Sequence, residues 1–388
     1  MRRVVIIGGG AVGSSIAYHL ALRGGFAVTV IERDPTYRIA SSSLSASSIR
    51  QQFSTPLNIA MSRFGLEFLR AAPAALAVDG DAPQLGLREA GYLFLASAAG
   101  VDVLRANHAV QRAAGAAMAL LGPGELSERF PWLATDGIVE GSLGLRGEGW
   151  FDGPALLAAL RRKARSLGVT YLAREAVDLR RAGEAIRGVV LDQDGVLDCD
   201  VAVNAAGAWS ARVAAWAGID LPVRARKRMV FVVACREALP GCPLLIDPTG
   251  IWMRPEGAQF LCGRSPDDGE SDPDDAPLEV DETMFHERIW PVLAARVPAF
   301  EALKLTSSWA GYYELNLFDH NAFIGPHPAA PNLIFATGFS GHGMQHSPAT
   351  GRGVAELIAE GGYRSLDLSP LGFARLLEKR PLIERNIV

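Results

Sequence analysis

The chain has 388 residues, 49% of them apolar and 21% charged, with a formal net charge of −4. This composition suits a folded protein of two domains, and the charge gives no footing for nucleic acid or an anionic membrane as partner. Cys199, Cys235, Cys242 and Cys262 have no CxxC spacing and no neighbouring histidine cluster, so neither a zinc site nor a disulfide framework is supported and no metal is expected.

In chain order, Val4-Val5-Ile6-Ile7 predicts a strand, Gly8-Gly9-Gly10-Ala11-Val12-Gly13 a tight turn, and Ser14 to Leu20 a helix. A dinucleotide pyrophosphate needs that order. Gly8 permits the turn, Gly10 lets backbone N–H groups approach phosphate, and Gly13 lets helix and strand pack closely. A second strand, Ala27 to Ile31, ends at Glu32, whose carboxylate is placed to hydrogen-bond a ribose hydroxyl. Met1-Arg2-Arg3 reads as a strand flank rather than a signal segment, and no apolar run approaches the ~20 residues of a membrane span, so a cytoplasmic location is expected.

The small and polar run from Ser41 to Phe53 suits a loop lying against a ligand. Thr55-Pro56 opens a helix through Leu69, Gly91 to Ala96 is a strand, and helices follow at Val101–Ala114 and after Gly122. Asp152 caps a helix ending near Gly168. Strands then run to Leu191, with a turn at Asp194-Gly195, and another strand at Asp200–Asn204 enters the turn Ala205-Ala206-Gly207-Ala208-Trp209. From Val223 to about Trp309 the pattern is β-rich, and the acidic stretch Asp267 to Glu282 reads as a solvated loop. Leu333 to Thr337 forms a strand into Gly338-Phe339-Ser340-Gly341-His342-Gly343, followed by a helix from about Pro348.

Three strand–glycine–helix junctions so far apart imply a discontinuous α/β Rossmann-type domain, residues 1–88, 141–222 and 321–388. A second, antiparallel β-rich domain would comprise 89–140 and 223–320, with the site between them.

With Gly8 to Gly13, Glu32, the Ala205–Trp209 turn and Gly338 to Gln345, the chain resembles the D-amino-acid oxidase superfamily of FAD enzymes, in the sarcosine oxidase and dimethylglycine dehydrogenase-like branch. Ile49 to Ser54 and the ending from Arg380 to Val388 look most like a less characterised subgroup of FAD-dependent oxidoreductases. The resemblance implies non-metal chemistry on a small amine or amino acid: hydride transfer from the carbon beside nitrogen to flavin N5, then hydrolysis of the imine. It implies an FAD site made by Gly8, Gly10, Ala11, Val12, Gly13, Glu32, Arg33, Ser42, Ser43, Ser48, Val177, Ala206, Gly207, Trp209, Gly311, Gly338, Gly341, His342, Gly343, Met344 and Gln345. Backbone N–H groups of the last motif would face the flavin N1–C2=O edge, where negative charge develops on reduction.

On the substrate side, Arg50 is the candidate carboxylate anchor because guanidinium offers a bidentate fork. Tyr313 falls at the family's active-site tyrosine. Trp252 and Arg254, two apart on a strand, share a face and are expected to shape the pocket, and Gln345 completes the substrate side.

The chain departs from its relatives at three places. Gly311 stands where monomeric sarcosine oxidases carry the flavin-linking cysteine, and no cysteine or histidine lies between Ala40 and Phe53, so FAD is expected to be non-covalent. Leu261 stands at the position of the oxygen-activating lysine, with Arg264 further along the same strand, and Gln345 replaces a carboxylate-binding lysine. The electron acceptor is therefore open between O2 and a quinone or electron-transfer protein. A weakly catalytic flavoprotein with an assembly or partner-binding role is the alternative to an enzyme, and an NAD-dependent dehydrogenase would leave the last glycine run unexplained.

Overall fold

A computed structural model describes residues 1–193, 195–266 and 270–385. Asp194 of the expected turn, residues 267–269 of the acidic stretch and residues 386–388 lie outside the described residues.

A six-stranded sheet runs in the order Phe323–His327, Ala330–Thr337, Val201–Asn204, Arg2–Ile7, Phe26–Glu32 and Thr170–Ala173. All neighbours are parallel except the first pair. Val5 stands opposite both Thr29 and Ala202, and Ala202 opposite Leu333. The strands ending at Ile7, Asn204 and Thr337 therefore deliver their glycine turns to one edge, where parallel α/β sheets bind ligands.

Period-two geometry covers both faces of this sheet. Val4, Ile6, Val201 and Val203 pack on one side with Ile16 and Leu20 of helix Ala11–Arg23 and with Val354 of helix Gly343–Glu360. Val5, Ile7 and Ala202 pack on the other with Val213 and with Ile186 and Val189 of a small antiparallel sheet. Each such fully buried side chain contributes about 1.5–3 kcal/mol.

An eight-stranded sheet forms a roof, in the order Lys304–Asn316, Val223–Ala234, Gln259–Gly263, Trp252–Glu256, Leu244–Ile246, Tyr92–Ala96, Glu140–Gly144 and Met118–Leu121. It is antiparallel except where Leu244–Ile246 runs parallel to Tyr92–Ala96. Phe231, Val233, Met253 and Cys262 face an outer core with Phe285 and Phe300, while Val230, Val232 and Leu261 face the opposite way with Trp252 and Trp309.

Several local expectations change. The Ser41–Phe53 loop contains a helical turn, Ser41–Leu44, and a short strand, Ser48–Ile49, paired with Gly149–Trp150. The Leu44 carbonyl closing that turn accepts the Trp309 Nε1–H at 2.9 Å, which ties the segment to the roof. The last long helix starts at Gly343 rather than near Pro348. Pro348 has no N–H for the Met344 carbonyl, and the Ser347 hydroxyl donates to it instead at 2.9 Å. The first hairpin after the capped helix turns at Gly183, and Gly195 opens a third strand.

The acidic stretch is not simply solvated. Arg224, Arg226 and Arg228 alternate along one strand, and Asp274 and Asp272 pair with them. Asp272 meets Arg228 in a fork at 2.9 and 3.0 Å, and the Asp275 N–H donates to the Ala225 carbonyl. Counter-charges at period-two spacing hold the segment against the strand.

Candidate functional site

Two clefts join beneath the roof. The outer cleft is bordered by Gly8, Gly10, Glu32, Arg33, Ala206, Gly207 and Trp209, and the inner cleft by Ser48, Tyr92, Arg228, Trp252, Arg264, Gly311, Tyr313, Gly341, Gly343 and Met344. Ala11, Val12, Ser41, Ser42 and Glu314 border both, so the clefts form one trough across the sheet edge.

At the outer end the first glycine turn is packed to its limit. Gly8 has φ +100°, and a side chain there would meet the Ala205 carbonyl, while one at Gly13 would meet the Gly8 carbonyl at 2.0 Å. Gly10 caps helix Ala11–Arg23 without a side-chain hydrogen bond, and Ser42 Oγ accepts the Ala11 N–H at 3.0 Å. Glu32 ends its strand with one oxygen accepting from Gly9 N–H and the other from Asp34 N–H, both at 2.9 Å. The Arg33 guanidinium lies 3.8 Å from the Trp209 ring centroid and makes a flat cationic wall.

At the inner end the Tyr313 hydroxyl donates to the Ser340 carbonyl at 2.6 Å, and burial pushes its pKa up to about 12. Gly341 (φ +87°) passes directly under that ring. Helix Gly343–Glu360 begins here and directs its positive end at the cleft. Arg228 stacks 5.1 Å from the Tyr313 ring, and Arg264 pairs with Glu270 at 2.9 Å.

Behind this wall lies a buried polar knot. Arg50 is 2% exposed, and its guanidinium donates to the Gln52 carbonyl at 2.6 Å and to His342 Nε2 at 3.1 Å, with Phe53, Tyr92 and Phe94 around it. A guanidinium only donates, so His342 Nε2 is an acceptor and its ring is neutral. Burial first, and the Arg50 charge second, hold the His342 pKa well below the ordinary histidine range. Gln345 is turned away from the trough, its Oε1 accepting the Arg50 N–H at 2.9 Å and the Ser62 hydroxyl at 3.1 Å. Burial also lifts Glu148 to about 7, where its carboxyl meets Gln51 N–H and Gln52 Nε2.

The structure thus brings most of the expected residues to one trough, while others stand just outside it. Arg50, Gln345 and His342 lie behind the wall, and Gly13 and Gly338 pack below it. Ser43 follows Ser42 in the helical turn but borders neither cleft; Ser41 does, its hydroxyl donating to the Tyr312 carbonyl. Ala176 borders the outer cleft, with Val177 next to it. Trp252 is on the inner wall. Arg254, expected beside it, is 4% exposed and holds the Ala46 carbonyl and Glu256. Arg264 borders the cleft just past the strand's last residue, Gly263. Leu261 packs with Val230 and Trp252, which do border the cleft.

Sequence reasoning missed Glu314, Arg228 and Tyr92 among the residues that line the trough. The alternation Arg224-x-Arg226-x-Arg228 was the one available signal, since such a strand needs a polar partner on that face.

The trough fits FAD on its own geometry: a glycine cradle that any Cβ would fill, a helix start whose cap residue makes no side-chain hydrogen bond, and a second glycine-lined chamber beyond. Residues 3–357 match the model of the family described as DAO, FAD dependent oxidoreductase. The chain is 46% identical over 425 residues to FAD-dependent oxidoreductase domain-containing protein 1 of Xenopus laevis, covering 99% of this chain and 84% of that protein. It is 29% identical to glycine oxidase of Geobacillus kaustophilus, over 97% of each chain. The solved L-proline dehydrogenase of P. horikoshii superposes with a TM-score of 0.86 at 26% identity, covering 98% of this chain and 99% of that one. No helix among the described residues is long and apolar enough to cross a membrane.

Proposed function

The chain belongs to the DAO family of FAD-dependent oxidoreductases, and on that premise we propose that it oxidises the C–N bond of a carboxylate-bearing amine or amino acid, as a dehydrogenase or slow oxidase. The make-up of the inner wall carries this reading: the Arg228 and Arg264 guanidiniums line one cleft with the Tyr92, Trp252 and Tyr313 rings. Relatives named glycine oxidase and L-proline dehydrogenase support the amino-acid class.

Bound FAD supplies the acceptor for the hydride on the carbon beside nitrogen. The chain supplies the rest. Gly10, Ala11, Val12 and Ser42 offer backbone and hydroxyl groups to the diphosphate, Glu32 a ribose acceptor, and the Arg33–Trp209 wall a stacking surface. Arg228, whose Nε–H has no partner among the described residues beyond the fork with Asp272, offers a donor to the substrate carboxylate on a wall that it shares with Arg264. The amine gives up a hydride only in its neutral form, which carries the nitrogen lone pair. Tyr313 keeps its proton near neutral pH, so it orients substrate rather than acting as a base. Leu261 leaves the roof apolar where a cation would favour reaction with oxygen, so a quinone or electron-transfer protein is the acceptor in this reading.

The test is an anaerobic screen of N-methyl, N,N-dimethyl, D- and L-amino acids for loss of the flavin absorbance. Bleaching by a member of this set supports the reading. Failure of every member sinks it and favours a binding role.

A further inference from the structure

Glu314 is an acidic side chain placed where an anionic cofactor must pass. It follows Tyr313 on the Lys304–Asn316 strand and borders both clefts at their junction. Its Oε2 accepts the Gly338 N–H and lies 3.0 Å from the Thr337 hydroxyl, which is itself 2.6 Å from Ser210 Oγ. One carboxyl thus joins the strand that carries Tyr313 to the third glycine turn and to the helix after the second. Its Oε1 lies toward the first residue of helix Gly343–Glu360, where a β-carbon on Gly343 would sit 3.3 Å from it.

FAD brings a diphosphate into this trough and expels the solvent that would stabilise a carboxylate. Both effects act against a negative charge at Glu314. We infer that Glu314 is a cofactor-binding residue that meets FAD in its protonated form, so that FAD binding takes up a proton at this carboxyl. Protonated, the carboxyl gives the trough a hydrogen-bond donor in place of a like charge.

The surroundings support this. Burial already lifts the free-protein carboxyl to about 7, against the Gly338 and Phe339 N–H groups and the Thr337 hydroxyl, which favour the ionised form. The charged and titratable groups around it are Tyr312 and Tyr313 on its own strand, and Arg224 and Arg226 flanking its partner Ala225 on the adjacent strand. Across the outer cleft stand Glu32, Arg33, Asp34, Arg174, Glu175 and Arg212, and across the inner one Arg228 and Arg264. The Ser41–Leu44 turn and the glycine turns packed against it carry one titratable group, His342, which is held neutral. None of these charges enters the causes of the shift, so the carboxyl is left to respond to the cofactor.

The experiment is a titration of apoprotein with FAD, followed by flavin fluorescence, between about pH 6 and pH 8.5. Above about 7, wild-type Kd should weaken by up to roughly tenfold per pH unit. Glu314→Gln, a permanently neutral mimic, should bind with nearly constant Kd over the same range. Equal slopes in the two proteins would overturn the inference. Calorimetry of the wild type in two buffers of different ionisation enthalpy gives an independent reading that survives a poorly folding variant. Uptake approaching one proton per FAD on the alkaline side of the range supports the inference, and no uptake overturns it.

Discussion

Tyr313 and Ser340 are joined by a 2.6 Å hydrogen bond from the tyrosine hydroxyl to the serine carbonyl, and the bond lies across Gly341. A β-carbon on Gly341 would come within 2.1 Å of the Tyr313 oxygen, and its φ of +87° disfavours any side chain. Gly341→Ala should therefore displace Tyr313 and lower the flavin content of purified protein, read as the ratio of visible to ultraviolet absorbance. Adding Tyr313→Ala should restore part of it, because space returns while the backbone strain stays. Full flavin content in the single variant would contradict the close packing.

Two arginines near the inner cleft should behave oppositely. Arg228→Met removes a guanidinium from the wall and should raise KM for a carboxylate substrate by roughly tenfold or more with a smaller change in kcat. Arg50→Met removes a buried donor pair and leaves the Gln52 carbonyl and His342 Nε2 without it, costing about 1–3 kcal/mol. Its effect should appear as a lower Tm. An unchanged KM in Arg228→Met, with a sharp KM rise and unchanged Tm in Arg50→Met, would return the anchor to Arg50.

After reduction by substrate, wild-type protein should regain its colour slowly in air. Leu261→Lys puts a cation among Val230, Trp252 and Trp309 and should speed reoxidation by roughly tenfold or more. Stopped-flow mixing with oxygenated buffer reads this directly, and rapid return of colour in the wild type would refute the role given to Leu261.

His346 is buried against Phe53 and Ser62, and burial holds its pKa down at about 3. The unfolded chain takes up a proton near the ordinary histidine range that the folded chain refuses. The stability from this neutral histidine is thus complete above about 6.5 and is lost as pH falls toward 3, by about 1.4 kcal/mol per pH unit. Urea unfolding of wild type and His346→Gln at about pH 5 and 6.5 should show the smaller acid loss in the variant. Parallel losses would remove His346 from the balance.

The nucleotide half of the molecule was legible because its signals are local. Each of Gly8, Gly207 and Gly338 follows an apolar run and precedes a helix, and neighbouring parallel strands bring all three to one edge. The inner cleft was harder to read because its wall is assembled across strands. Arg228, Trp252 and Tyr313 come from three strands of the roof, and no pattern in one segment reveals which faces meet. Arg50 illustrates the limit: an arginine in a polar loop signals anion binding, yet here aromatic rings and His342 enclose it. The acidic stretch failed for the same reason, since its partners Arg224 to Arg228 lie far back in the chain.

The strand Lys304–Asn316 is paired along its length with Val223–Ala234 in the roof, while Tyr313, Glu314 and Asn316 grip the turn after Thr337. A rigid rod fastened to both layers leaves no axle about which they could swing apart. Opening the whole molecule like a book would break this row of bonds at once. Traffic to the buried chamber must therefore pass its rim, where the Ser41–Leu44 turn borders the clefts.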